Sequence, residues 1–396
     1  MSLRERREVV SLYRQAGAAG GVLFSVVRVA GSSYRQPGAR MLVLADGRTA
    51  GTLSGGCLEA DLLRRAAWTV RSGAVVEQFS TRFDDTAEIP YGLGCGGDVD
   101  LLAEPMESLE AEALLHAMDA TLGGDERVIA TLLPGRGEPL QRVVLDGRWD
   151  VLFATESLPT EAVVEVRALA RSAAGSSAST WMETPLGTLH TERLLPVQRL
   201  VIFGAGEDAR PLARLAFEMG WEPVVVDTRA KRVTTDRFPQ AQCIVAAAAV
   251  KVPVLPADAV VLMTHSYQHD RELLSELLQA PPRYLGLLGA RHRSSLLLQE
   301  ASVAAGVPLA RAVACTHAPI GLELGGEGPE AVALAIVAEL QHVLAGAEKA
   351  NPMASRRLHM HDVERLLADG PAASRYENCV LSSEENVSPA TEVAVL

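Results

Sequence analysis

The sequence predicts an α/β protein: an N-terminal mixed α/β domain followed by a Rossmann-like domain with a doubly wound parallel sheet. Three observations carry this. The stretch "RLVIFGAGEDARPLARLAFEMGWEPVVVD" (199–227) reads strand, glycine turn, helix, strand, the pattern that opens a parallel nucleotide-type sheet. Before it, β-branched runs and turn signals such as Asp46-Gly47 alternate with helical stretches. Ala, Val and Leu dominate while aromatics make up only 4%, which suits helices layered on sheets.

Taken in order, residues 3–16 predict a helix and "GVLFSVVRVAG" (21–31) a strand. Two short strands flank Asp46-Gly47, a hairpin signal. A helix over about 58–72 stops at Gly73, and "VVEQFS" (75–80) is a strand. A glycine-rich loop from Tyr91 leads into the strand "DVDLLAE". Residues 106–195 alternate in the same way without recognisable chemistry and complete the first domain, 1–195. "SAAGSSAST" (172–180) has the composition of a surface loop. The second domain, 196–346, continues through "AVVLMTH" and "YLGLLG" to a last helix near 329–345 that Pro329 opens. Residues 347–396 read as a loosely structured tail with a short helix at "HDVERLLADG". No internal repeat is evident.

A net charge of −12 argues against nucleic acid as a partner, since phosphate backbones need clustered Lys and Arg. The N-terminal stretch lacks the apolar region of a signal peptide, and no apolar run approaches a membrane span. The five cysteines are odd in number, widely spaced and without a CxxC pair, which predicts reduced thiols and a cytoplasmic protein.

Two of those cysteines stand against glycines. Cys57 follows Ser54-Gly55-Gly56 where a helix begins, a position where the macrodipole favours a thiolate. Cys95 lies between Gly94 and Gly96, with Gly92 and Gly97 close by. The glycines would let a bulky anionic ligand approach bare backbone, and paired thiolates suit a soft metal. Small core fillers are the other reading of both. In "GSSYRQPGAR" (31–40), Ser32, Ser33, Arg35 and Arg40 could cradle an anion or simply form a turn.

In the second domain Gly204 allows the tight turn and Gly206 the approach of a pyrophosphate, with Ala209 in place of a third glycine. Asp227 is spaced to accept from ribose hydroxyls, whereas Arg229 would welcome a phosphate. His265 and His269 in "THSYQHD" share one helical face if a helix starts there, half a metal site or helix-start polarity. His317 in "CTHAPIGLELGGEGPE" falls where a parallel sheet binds ligands, or is a hydrogen-bonded loop residue.

Together these motifs resemble the XdhC/CoxI family of xanthine dehydrogenase accessory proteins. "GSSYRQPGARM", "SGGCLEADL" and "YGLGCGG" are similar to its N-terminal domain. "LVIFGAGEDARPLARLA", "VVVDTR", "MTHSYQHD", "YLGLLGARHR" and "THAPIGLELGGEGPEAVALAIVAEL" are similar to its Rossmann domain. Tyr34 stands where the family often has proline, and the tail after 346 is not covered. The resemblance implies a chaperone that binds the molybdenum cofactor, supports its sulfuration and inserts it into a molybdenum hydroxylase. Its implied partners are that apoenzyme, a cysteine desulfurase and a second copy of the chain. Cofactor contacts then fall to Cys57 and Cys95, which would also meet the metal, and to Ser32, Ser33, Arg35, Gly55, Gly56, Gly94 and Gly96. In the second domain they fall to Gly204, Gly206, Asp227, Arg229, His265 and His317. An NAD(P)-dependent oxidoreductase is the alternative that Gly204, Gly206 and Asp227 support, and a scaffold for a hydroxylase complex is a third.

Overall fold

The computed structural model describes residues 1–17, 19–31, 33–54, 56–80, 97–135, 138–173, 179–246 and 252–345, with the side chain of Cys57 outside that set. Packing divides the chain into Met1–Gln341 and His342–Leu396; the described elements belong to the first unit, whose last helix runs just past its end.

The chain opens with α1 (Leu3–Ala16), β1 (Gly21–Ala30), β2 (Arg40–Leu44), β3 (Thr49–Gly51), α2 (Cys57–Thr69), β4 (Val75–Ser80) and β5 (Asp98–Pro105). Ser2 starts α1 with a capping box: its hydroxyl accepts from the Glu5 N–H at 3.2 Å, and Glu5 accepts from the Ser2 N–H at 2.9 Å. The strands form an antiparallel sheet in the order β3-β2-β1-β5-β4. Next come α3 (Leu109–Leu122), β6 (Arg127–Leu132), β7 (Gln141–Asp146), β8 (Val151–Ala154), α4 (Thr160–Ala173), β9 (Ser179–Thr184) and β10 (Gly187–Leu194). Their sheet runs β8-β7-β6-β10-β9.

These are the same arrangement twice, α-βββ-α-ββ with the same strand order, so the expectation of no internal repeat is corrected. The agreement extends to register. Leu23 pairs with Leu42 and Glu104 in the first half, and Ile129 pairs with Val144 and Glu192 in the second. Ser25 pairs with Arg40 and Leu102, and Thr131 with Arg142 and His190. Because side chains alternate across a strand, Leu23, Leu42, Ile129 and Val144 all reach one core with Val9 and Val10 of α1 and Leu114, Leu115 and Met118 of α3. The opposite faces pack separately, Phe24 and Met41 with Leu62 of α2, Val128 and Val143 with Val166 of α4.

Two ion pairs cross between the sheets. Arg142 of β7 holds Glu104 of β5 at 2.8 Å, with side chains 1% and 0% exposed. Arg40 of β2 holds Glu192 of β10, likewise buried. By the register above these pairs are equivalent, each half giving its arginine to the other's glutamate. That reciprocity is what two units related by a two-fold axis produce.

The remaining strands are parallel. β11 (Arg199–Phe203), α5 (Ala209–Glu218), β12 (Glu222–Asp227), β13 (Gln242–Val245), β14 (Ala259–Leu262), α6 (Tyr267–Leu277), β15 (Tyr284–Leu287), α7 (Arg291–Ala305), α8 (Leu309–Ala314) and α9 (Pro329–Leu344) complete the described elements. The order β13-β12-β11-β14-β15 reverses direction between β11 and β14, the crevice at which open parallel sheets bind ligands. Val201, Val224, Val260 and Leu285 fill the sheet's core beneath it. Pro329 opens α9 as expected. Among the described residues no helix is long and apolar enough to cross a membrane.

Candidate functional site

In the first half two connections approach each other. Cys57 is the first residue of α2, and Gly56 occupies the N-cap with φ 119° and no side-chain cap. The turn before it wraps around one carboxylate: Glu59 accepts from the N–H groups of Leu53 at 2.9 Å, Ser54 at 2.6 Å and Gly56 at 3.0 Å, and from the Ser54 hydroxyl. Sequence reading left these N–H groups to an anionic ligand and the helix dipole to the thiolate. Glu59 instead satisfies the N–H groups and places a negative charge at the positive end of α2. The signal was present, since a glutamate three residues after an N-cap is a capping pattern. Among the described residues space remains at the turn, because a Cβ on Gly56 would meet none of them within 4 Å.

Arg35, in the β1–β2 connection, donates to both carboxylate oxygens of Glu5 at 2.6 Å, and Thr52 donates to the same carboxylate at 3.0 Å. Glu5 thus ties the loop of residues 31–39 to the turn before α2. Of the expected anion cradle, Ser33 is half-buried in that loop, Arg35 is already paired, and Arg40 is buried on Glu192. Arg40 therefore holds the two sheets together and is not available to a phosphate, a correction forced by its burial. Ser32, Gly55, Gly94, Cys95 and Gly96 lie outside the described residues. Among the described residues no group of three or more His, Cys, Asp or Glu could hold a metal ion.

The second site is at the carboxyl edge of the parallel sheet. Gly204 follows β11 with φ 119°, and a Cβ there would lie 2.2 Å from the Met263 carbonyl oxygen, so the turn admits only glycine. A Cβ on Gly206 would collide with Asp208 and crowd His265. Asp208 accepts from the Ala209 N–H at 3.1 Å and lies 2.8 Å from His265 Nε2. His265 itself adopts φ 60°, unusual for a residue with a side chain. It precedes α6, whose cap is Ser266, so His265 and His269 do not share a helical face and the half-metal-site reading is corrected. Ser266 accepts from the His269 N–H, the helix-start polarity that was the other reading.

Asp227 closes β12 with its carboxylate fully engaged. It accepts from the Ala205 N–H at 2.8 Å, the Arg229 N–H at 2.9 Å and the Arg229 guanidinium at 2.8 and 2.5 Å. Burial pushes this carboxyl up, but the Arg229 hydrogen bonds outweigh it and hold it at about 2. Asp227 and Arg229 are thus partners of each other, and a ribose would have to displace Arg229.

His317 stands apart from this group, beyond β15. It pairs with Gly286 as a one-residue extension of the sheet, stacks on Tyr284 at 4.4 Å and lies 2.7 Å through Nδ1 from Glu339. Tyr284 donates to Glu339 at 2.8 Å, as does the Gly321 N–H at 2.6 Å. Burial raises the Glu339 carboxyl, but its bonds from His317 and Tyr284 prevail and lower it. The structure therefore joins Gly204, Gly206, Asp227, Arg229 and His265 and leaves His317 in a separate cluster. Sequence reading missed Asp208, Glu59, Glu339 and Tyr284, each of which fixes a residue it had singled out.

Comparison with known proteins follows this division. The XdhC Rossmann domain matches residues 200–340, and the XdhC and CoxI family model matches residues 14–80, which include Cys57 but not Cys95. The chain is 30% identical over 342 residues to a probable xanthine dehydrogenase subunit from Bacillus subtilis strain 168, covering 81% of this chain and 92% of that protein. It is 25% identical over 290 residues to the molybdenum cofactor insertion chaperone PaoD of Escherichia coli K12, covering 71% and 70%. A crystal structure of a xanthine dehydrogenase from Bacillus halodurans superposes with a TM-score of 0.69 and 28% identity, covering 89% of this chain and 98% of that one.

Proposed function

The chain belongs to the XdhC and CoxI family, and from that premise we propose that it is a maturation factor for a xanthine dehydrogenase-type molybdenum hydroxylase. It binds the molybdenum cofactor, shields it during sulfuration and delivers it to the apoenzyme. A cysteine desulfurase serves as sulfur donor and the chain acts as a homodimer. The observation that carries the reading is the similarity to a molybdenum cofactor insertion chaperone over 290 residues. The cofactor supplies a dithiolene-bound molybdenum, and the soft donors that suit it are Cys57 and Cys95. Cys57 begins α2 beside the open space at Gly56, which leaves room for a ring against bare backbone. Arg35 and Ser33 lie in the loop that Glu5 fastens to this turn.

The oxidoreductase reading is weaker on geometry. A dinucleotide pyrophosphate would meet the carboxylate of Asp208 at the start of α5, and its ribose would compete with Arg229 for Asp227. Chaperone and oxidoreductase are separated by loading the purified chain under reducing, oxygen-free conditions and measuring molybdenum and pterin. The Cys57→Ala, Cys95→Ala double variant should fold normally and lose most of the bound cofactor, while Cys379→Ala loads fully. Normal loading of the double variant would return both cysteines to a packing role. Bound nicotinamide without pterin would favour the oxidoreductase.

A further inference from the structure

The first turn of α7 is built against the usual rule. Helix N-termini favour acidic residues and capping side chains, yet α7 has no acidic residue in its first turn and Ala290 at its N-cap, with no side-chain cap. Arg291, His292 and Arg293 occupy that turn instead. A positive dipole end carrying three basic side chains is unfavourable alone and favourable with an anion upon it.

A second observation is independent of the helix. Ser294 is 2% exposed, and its hydroxyl has no hydrogen-bond partner among the described residues. Leaving a buried hydroxyl unpaired costs about 1–3 kcal/mol, so such a group points to a missing partner. The hydroxyl faces Gly289: a Cβ there would stand 3.8 Å from Ser294 Oγ and 3.1 Å from Arg293 Nη1. Gly289, at φ 153°, lines a cleft of about 300 Å³ with Met263, His265, Leu288 and Arg293. A side chain at 289 would fill the space that serine and arginine both face.

The walls are held in place. Arg293 donates to Asp270 at 2.6 Å and to the Leu288 carbonyl at 3.3 Å. Asp270 is fully buried and accepts from the Thr264 hydroxyl at 2.7 Å. Opposite, His265 is fixed by Asp208 at 2.8 Å. A guanidinium and an imidazole, each oriented by a carboxylate, thus share a cleft at a dipole end, and the unsatisfied Ser294 hydroxyl is buried just behind its Gly289 wall.

We propose that this cleft at the start of α7 binds the dianionic head of a phosphate monoester, contacted by Ser294, Arg293 and His265. The phosphate site of this Rossmann-like domain then lies after β15, not at the glycine turn after β11. The inference stands apart from the chaperone reading, which the cysteine variants test separately.

The test is titration of the full chain by calorimetry with inorganic phosphate, then with adenosine monophosphate, and with an oxidised phosphopterin and its dephosphorylated form. Inorganic phosphate should bind saturably. Ser294→Ala should weaken it about tenfold, the value of one hydrogen bond to a charged acceptor, and Arg293→Lys at least as much. Arg148→Gln, on an exposed turn of the second half, should change nothing. Removing an unsatisfied hydroxyl should leave the unliganded Ser294→Ala chain melting at the same temperature or higher, so lost binding would not be lost folding. A gain for phosphopterin over phosphate that disappears on dephosphorylation assigns the ligand to the pterin; a gain for adenosine monophosphate assigns it to a nucleotide. No saturable binding of any phosphate, or undiminished affinity in Ser294→Ala, overturns the proposal.

Discussion

The two antiparallel halves share helix order, strand order and register, and they differ in their connections. Between β9 and β10 the chain turns through residues 185–186 alone; between β4 and β5 it runs through residues 81–97, which contain Cys95 and its glycines. Before α4 stands "TESLP"; before α2 stands "TLSGG". Thr160 begins α4 where Cys57 begins α2. The strands, helices and crossed ion pairs therefore make the scaffold, and the chemistry of the proposed site belongs to connections that only the first half carries. A scaffold so repeated can hold function in one copy and structure in the other.

The sharpest way to break this comparison is to make the first half resemble the second. Ser80 pairs directly with Asp98, as Thr184 pairs with Gly187, so the ends of the long connection are already neighbours in a ladder. Replacing residues 81–97 with an Asn-Gly turn, suited to a two-residue hairpin, should preserve folding and abolish molybdenum and pterin loading. Retained loading would separate the cofactor site from this connection altogether.

Next in size is the pair of crossed ion pairs. Removing one member of a buried pair strands the other charge and costs about 3–5 kcal/mol. Glu104→Gln, opposite a 1% exposed Arg142, should fall in that range by urea denaturation. Glu192→Gln should fall in it too if the halves are equivalent. The double replacement Glu104→Leu, Arg142→Met should recover most of the loss. A small effect of both single changes would mean that the apolar core of Leu23, Leu42, Ile129 and Val144 alone holds the sheets together.

The parallel sheet was legible because its signal is local: strand, glycine turn and helix follow one another from Arg199 to Asp227. α1, the hairpin at Asp46-Gly47 and the start of α9 were legible for the same reason. The repeat was not, although Ser2 and Ser108, Leu3 and Leu109, Gly17 and Gly123, and Val22 and Val128 stand at one constant separation. Apolar positions accept any of several residues of similar volume, so Leu23 and Ile129 serve one role without identity. What repeats is register, and register is visible only once strands pair. The site was half legible for a related reason. Cys57, Gly204 and His265 stood out by their glycine and helix-start context, but Glu59 and Asp208 act through contacts, and Ser294 is singled out by burial, that spacing alone does not reveal.

A second difference separates the halves at acid pH. His190 occupies the register position that Leu102 holds in the first half. Burial lowers the His190 imidazole to about 4 from 6.5, so it stays neutral in the folded chain. Its unfolded form takes up a proton first, hence stability is complete above pH 6.5 and is lost as pH falls through about 4. The loss should be on the order of 2 kcal/mol near pH 4.5. Burial raises the Glu192 carboxyl, but Arg40 prevails and holds it at about 2, so its contribution stays full above pH 4.5 and fades as pH falls toward 2. His190→Leu should therefore flatten the melting temperature between pH 7 and pH 4.5 while leaving the steeper fall below pH 4. An unchanged profile would place the acid sensitivity elsewhere.

The smallest prediction concerns the hydroxyl beside each crossed arginine. In the second half Thr131 accepts from Arg142 Nε at 3.1 Å. At the equivalent place in the first half, Ser25 Oγ and Arg40 Nε are both buried and neither has a partner among the described residues. The residues differ by one methyl group. That methyl restricts χ1 in threonine and suits a strand, so it can hold the hydroxyl toward the arginine where serine rotates away. Ser25→Thr should then form the missing bond and raise stability by about 1 kcal/mol, read as a rise of a few degrees in melting temperature. The gain should vanish in Arg40→Met, which has no Nε to donate. If Ser25→Thr instead destabilises the chain, the added methyl overpacks the interior around β1, and the halves, alike in register, differ in how closely their interiors are filled.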